Sequence, residues 1–303
     1  MADKISPLGT SPERLRGRSG SVRAVGVLSV LRKGAMVLSY ETLGEQGDPV
    51  VLIHGSLVDR TSWLAVFAPL AVGLQVTAYD RRGYGESTGP RRIRAVRDDA
   101  QDLSELLETT GLFPAHLVAH SYAGAVALRL AADRPELVRS LALHEPPLIG
   151  LLGSGPAESP DARQWIDLLE RLLGAVRSGE EERAAREVVD AFSARKGAWK
   201  RLPPEARAQA IRYIGLWADE FSDPEATEPV RASLRELYIP VLLTTGAQSP
   251  PIVQQMAGAL AAELTNATLR TLPETGHAPH ITGPDRYLGI LTTFLLERIV
   301  PTV

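Results

Sequence analysis

Cysteine is absent from the 303 residues, so disulfides, a thiolate nucleophile and zinc sites built on sulfur are excluded. A strong charge of either sign is missing too: 33 Lys and Arg stand against 36 Asp and Glu, for a formal net charge of -3. That balance argues against nucleic acid or another polyanion as partner. Two stretches, residues 14–23 and 91–97, are locally basic and read as solvated segments. No apolar run is long enough to cross a bilayer, and residues 1–20 carry charges but no apolar core of the kind a secretory signal needs. The expectation is a cytoplasmic protein without a membrane partner. Nucleotide and metal signatures are also lacking: Thr88 stands where a dinucleotide fingerprint built on Gly83 and Gly85 would need its third glycine, and neither a P-loop nor His-Glu-x-x-His occurs. No cofactor and no metal are expected.

What the chain does contain is an alternation of buried-strand and helix patterns. After a Gly-, Ser- and Arg-rich start (residues 1–21) that reads as disordered, residues 22–31 and 35–43 carry alternating apolar positions on either side of Arg32-Lys33-Gly34, the mark of a hairpin. Val50-Val51-Leu52-Ile53 and residues 74–79 are continuous apolar runs, as expected of strands buried on both faces. Helical periods fit residues 62–71 and 97–110. A further apolar run, after His116, goes directly into Ser121 and an Ala-rich helix, and residues 138–143 form the next strand, closing on His144-Glu145-Pro146-Pro147. This alternation predicts a mostly parallel sheet wrapped on both sides. It stops at residues 148–237, where only helical periods appear, at 162–176, 180–194 and 205–217. Alternation then resumes with strands at 238–245 and 268–272 and helices at 250–264 and 284–299. The expected organisation is a core of residues 22–147 and 238–303, with residues 148–237 as a helical cap on the sheet's carboxyl edge.

Ser121 is the candidate nucleophile, because a strand–turn–helix lifts a serine clear of the sheet with the first helix amides facing whatever it attacks. A serine hydroxyl needs a general base. Of the six histidines, His277 follows the last strand in a Gly- and Pro-bearing loop on the edge where Ser121 also lies. A lone loop histidine is commonly a solvated side chain, but this placement after a serine turn favours function. His280 shares the loop and is the weaker candidate. His116 is expected at the surface ahead of its strand, and His120 as a packing residue behind the turn. Two backbone amides must meet the oxyanion. Tyr122 supplies one by its position after Ser121, and Ser56, after His54-Gly55 at a neighbouring strand end, supplies the other.

These motifs, His54-Gly55, Asp80-x-x-Gly83-x-Gly85-x-Ser87, the Ser121 elbow and Gly276-His277, resemble in content and order those of the α/β-hydrolase family. The resemblance covers residues 22 to the end and implies an eight-stranded, mostly parallel α/β sheet flanked by helices. It departs from the family at two places. The elbow has Ala119 and Ala123 in place of glycines, and the turn after residues 238–245, where the family usually carries an Asp, reads Gly246-Ala247-Gln248-Ser249-Pro250-Pro251. No Asp or Glu occurs between Glu236 and Glu263. Glu145, ending the strand after the elbow helix, is then the candidate acid, able to hold the histidine tautomer and stabilise the imidazolium. The commoner role for such a residue is a surface Glu capping a loop. His144-Glu145-x-Pro147 with an acid-free later turn resembles a branch containing lactone-cleaving enzymes that act on macrocyclic resorcylic lactones.

The sequence therefore points to a serine hydrolase of a small-molecule carboxylic ester or lactone, with Ser121, His277 and Glu145 catalytic and Ser56 and Tyr122 at the oxyanion. Trp165, Phe192, Trp199 and Trp217 are candidate pocket walls in the helical segment. Two other readings remain open on the sequence: a cofactor-free carbon–carbon bond hydrolase, and a non-catalytic ligand-binding protein that keeps the fold.

Overall fold

The structure, a computed structural model, describes residues 27–89, 95–153, 159–193, 197–229 and 231–297. The expected disordered start lies outside them. Eight strands form one sheet in the order β1-β2-β4-β3-β5-β6-β7-β8. They are β1 (Val27–Lys33), β2 (Met36–Leu43), β3 (Pro49–Ile53), β4 (Gln75–Tyr79), β5 (Ala115–His120), β6 (Val138–His144), β7 (Val241–Gly246) and β8 (Ala267–Leu272). Only β1–β2 and β2–β4 pair antiparallel, and all other neighbours are parallel.

The continuous apolar runs are explained by helices on both faces. Side chains alternate across a strand, so Val51 and Ile53 of β3 join one core and Val50 and Leu52 the other. The first core is closed by α2 (Val96–Thr110), α3 (Ala123–Asp133) and α9 (Pro251–Glu263). The second is closed by α1 (Leu64–Leu70) and, after the short α10 (Pro279–Thr282), by α11 (Pro284–Glu297) through Tyr287, Leu291 and Leu295. Each fully buried Val, Leu or Ile of this kind contributes about 1.5–3 kcal/mol over leaving it in water.

Between β6 and β7 the chain runs through α4 (Pro160–Arg177), α5 (Glu181–Phe192), α6 (Ala198–Arg201), α7 (Pro204–Phe221) and α8 (Arg231–Arg235). Their helical stripes, such as Ala162, Trp165, Leu169 and Leu172 of α4, are buried in the first core.

Two expectations need correction. The first hairpin turns on Gly34-Ala35 alone, because β1 continues through Arg32 and Lys33, which pair with Val37 and Met36. Charges end an apolar pattern but not an edge strand, where they face solvent. His116 is not at the surface: it lies inside β5 with no exposed area, its Nδ1 hydrogen-bonded to Ser140 Oγ at 2.6 Å. The strand begins one residue before it.

Candidate active site

In an open α/β sheet, ligands bind beyond the carboxyl ends of the strands where the strand order reverses. Here β3 has β4 on one side and β5 on the other, so that crevice lies between the loops that follow β3 and β5. Ser56 and Ser121 stand on those two loops.

Ser121 leaves β5 with a φ of 54, a left-handed conformation that is strained for a non-glycine residue. Its amide donates to His144 O of the adjacent strand at 2.9 Å, and Gly124 N donates back to Ser121 O at 2.8 Å, so the turn is held from both sides. The alanines at 119 and 123 are fully buried and accommodated.

His277 Nε2 lies 3.1 Å from Ser121 Oγ, and its Nδ1 lies 2.7 Å from Glu145 Oε2. A carboxylate accepts only, so Nδ1 carries the proton and Nε2 presents a lone pair to the serine hydroxyl. Glu145 is fully buried and also sits at positive φ, 48. Its other oxygen accepts from Thr245 Oγ1 at 2.8 Å and from Gly246 N at 2.7 Å. Burial pushes its carboxyl up, but the neighbouring His144 and the hydrogen bond from His277 outweigh burial and hold it well below the usual carboxylate range. Gly246 is required there, since a Cβ would come within 2.5 Å of Thr275 O in the loop that carries His277.

Sequence reasoning underrated His120. Its ring is buried, and Nε2 donates to His277 O at 2.7 Å, fixing the backbone at His277. On its other side it crowds Gly55, where a Cβ would meet His120 Nδ1 at 2.6 Å. Burial lowers its pKa far below the ordinary value, so it is a neutral donor. His280 is buried against Trp63, ring centroids 4.3 Å apart, and burial lowers it to about 3. Ser121 and Glu145 are both met by His277 instead.

Of the four aromatic candidates, Phe192 stacks obliquely on His277 with centroids 4.8 Å apart, and Trp165 packs edge-on against Phe192 at 5.1 Å. Trp217 stacks on Phe221 at 5.1 Å, which in turn approaches Tyr122 at 6.3 Å. Trp199 is buried in the helical segment, its amide donating to Asp190 Oδ1 at 2.9 Å. Tyr122 follows Ser121 directly, its ring wholly buried beneath the Arg81 guanidinium, 4.8 Å from the ring centroid.

Missed entirely was Glu220 of α7, whose carboxylate is buried against the β3 loop and hydrogen-bonds Ser56 Oγ at 2.5 Å. The signal was present: Tyr213, Trp217 and Glu220 recur at helical spacing, which puts an acid on the apolar face. Gly246 gave no signal, because a backbone amide has no letter. Among the described residues, no group of three or more His, Asp or Glu could hold a metal ion, and no helix is long and apolar enough to cross a membrane.

Over its length the chain is 24% identical to a pimeloyl-[acyl-carrier protein] methyl ester esterase of Pectobacterium carotovorum, covering 85% of this chain and 98% of that protein. A shorter segment is 39% identical to the dihydrolipoyllysine-residue acetyltransferase component of the acetoin cleaving system of Pseudomonas putida. That match covers 36% of this chain and only 30% of the relative's length. Among solved structures, the enol-lactonase from Burkholderia xenovorans LB400 superposes with a TM-score of 0.71 at 18% identity, covering 88% of this chain and all of the other. At that identity the likeness speaks for the fold alone. The family described as alpha/beta hydrolase fold matches residues 48–284, from the residue ahead of β3 to the first residue of α11. With the strand order and the serine turn in agreement, the chain is a member of the α/β-hydrolase family.

Proposed function

We propose that the protein is a serine hydrolase that cleaves a carboxylic ester or lactone through an acyl-enzyme. One observation carries the reading: the unbroken chain from Ser121 Oγ through His277 to a buried, ionised Glu145, at 3.1 and 2.7 Å. Ser121 Oγ attacks the substrate carbonyl as His277 Nε2 takes its proton. Glu145 holds the imidazole tautomer and stabilises the imidazolium that forms. The amides of Tyr122 and Ser56 receive the oxyanion, each such donor being worth about 3–4 kcal/mol of transition-state stabilisation. His277 then protonates the leaving alkoxide, and water, deprotonated by the same histidine, releases the acid.

The helices between β6 and β7 act as a cap in this reading. Phe192 and Trp165 make the side of the pocket nearest His277 apolar, which suits a hydrophobic acyl or alcohol group. Trp217, stacked on Phe221, and Trp199 are buried in the same helices. The acid at the end of β6 agrees with the lactone-cleaving branch that the sequence resembles, and ester cleavage with the named activity of the esterase it aligns with along its length.

The test is hydrolysis of a panel of p-nitrophenyl esters and macrocyclic and small lactones by purified protein. Ser121→Ala should lose all but a residual rate, a drop on the order of 10⁶-fold in kcat. Undiminished hydrolysis by that variant would defeat the proposal.

A further inference from the structure

Glu220 is a carboxylate with no exposed surface, held on a helix outside the core sheet. Such a group is costly to bury unless fully partnered. All of its partners come from the loops at the sheet's carboxyl edge. Oε2 accepts from Ser56 Oγ at 2.5 Å, and Oε1 accepts from Arg81 Nη1 at 2.7 Å and from Tyr84 Oη at 2.9 Å. Arg81, itself buried, reaches further. Its Nη1 also donates to Asp99 Oδ2 at 3.0 Å, its Nε to His54 O at 3.0 Å and its Nη2 to Gly55 O at 3.1 Å.

The guanidinium fork therefore holds the two carbonyls immediately ahead of Ser56. Because a peptide unit is planar, fixing Gly55 O fixes the direction of the Ser56 N–H at the other end of the same plane. A second donor, His54 Nδ1, reaches the same carbonyl at 2.7 Å. Leu57, the next residue, has a φ of 64, which a branched side chain adopts only under constraint. The clamp supplies that constraint from one side and Glu220 locks the clamp and the Ser56 hydroxyl together.

We propose that Glu220 is a positioning residue: through Arg81 and the Ser56 hydroxyl it aims the Ser56 amide at the oxyanion, so that the seating of α7 on the core sets the rate of the chemical step. This rests on the serine-hydrolase reading above. A salt bridge that merely fastens the helix would affect stability and leave the chemistry alone.

The experiment compares full-length wild type, Glu220→Gln and Ser56→Ala, with functional sites counted by fluorophosphonate labelling taken to completion, so that unfolded protein is not scored. The readouts are kcat per labelled site, KM, and inhibition by a trifluoromethyl ketone, which adds Ser121 and places an oxyanion at the same amides. Glu220→Gln should lower kcat per site about 10- to 100-fold, with KM within about twofold, and weaken the ketone by the same factor. Ser56→Ala, which keeps the amide and the ion pair, should show the same pattern at about fivefold. The acid limb of the pH–rate profile should not move, since Glu145 and His277 are untouched. Per-site rates and ketone affinities within about twofold of wild type in both variants would overturn the proposal. If Glu220→Gln gives no labelled sites, Ser56→Ala decides it by the same criterion. An unlabelled, inactive wild type would instead bring down the hydrolase reading and this inference with it.

Discussion

The ends of β6 and β7 lie side by side in the sheet and present opposite polarity. At the end of β6, Glu145 brings a buried negative charge on a left-handed backbone. At the end of β7, Thr245 and Gly246 bring only donors, both aimed at Glu145 Oε1, while His277 takes Oε2. The acid-free turn after β7 thus serves as the cradle of the carboxylate that follows β6. The lesson is that a charge at a reacting site is defined by where its oxygens end up and by what solvates them, not by which strand carries it.

That contrast can be broken from either side. The largest effect is expected from the β6 end: Glu145→Gln keeps the shape but loses the charge and the enforced tautomer, and should cut kcat on the order of 10³- to 10⁴-fold in steady-state ester hydrolysis. A near-normal rate would return Glu145 to a structural role. From the β7 end, Gly246→Ala forces a Cβ to within 2.5 Å of Thr275 O, so the turn must shift and withdraw its amide from Glu145. A displacement of that size should cost roughly 100-fold in kcat, together with a lower Tm by thermal melt. Thr245→Val removes one donor at nearly constant volume. It should lose about 1.5–3 kcal/mol in urea unfolding and only a few-fold in rate, because the Gly246 amide and His277 still solvate the carboxylate.

The pH dependence of stability sharpens the comparison further. His144, the last residue of β6, is lowered to about 4 by burial, and His280 to about 3. Both are neutral when folded and gain a proton on unfolding below their ordinary value near 6.5, so the unfolded chain binds more protons and stability falls as pH drops from 6.5 towards 4. Each should contribute a slope of about 1.4 kcal/mol per pH unit. Glu145 acts lower: with its folded value depressed, its contribution is intact above its unfolded value near 4.5 and is lost only as pH falls below it. Denaturant titrations at pH 7, 6 and 5 should show the histidine slope, and a flat line would contradict a neutral cluster.

Much of the fold could be read in the letters. Continuous apolar runs such as Val50-Val51-Leu52-Ile53 encode strands buried on both faces, and the eight-stranded, mostly parallel sheet that the family resemblance implies is the one observed. Ser121, His277 and Glu145 could be nominated because each follows a strand on the same edge of the sheet and carries distinctive chemistry. What stayed hidden has a common physical cause. The Gly246 amide, the Arg81 fork on the β3-loop carbonyls and the His120 bond to His277 O all engage the backbone, which every residue shares. Glu220 was legible only as an acid at the wrong phase of an apolar stripe. His116 looked external because polarity was taken for exposure, whereas Ser140 on the next strand partners its Nδ1.

In the proposed mechanism Glu145, acting through His277, is what makes Ser121 a nucleophile. The rate of fluorophosphonate attachment, followed by peptide mapping in wild type and Glu145→Gln at pH 8, tests it most directly. Wild type should carry the label on Ser121 alone, with Glu145→Gln labelled about 10³-fold more slowly. Equal rates in the two proteins, or a label on any other residue, would contradict it.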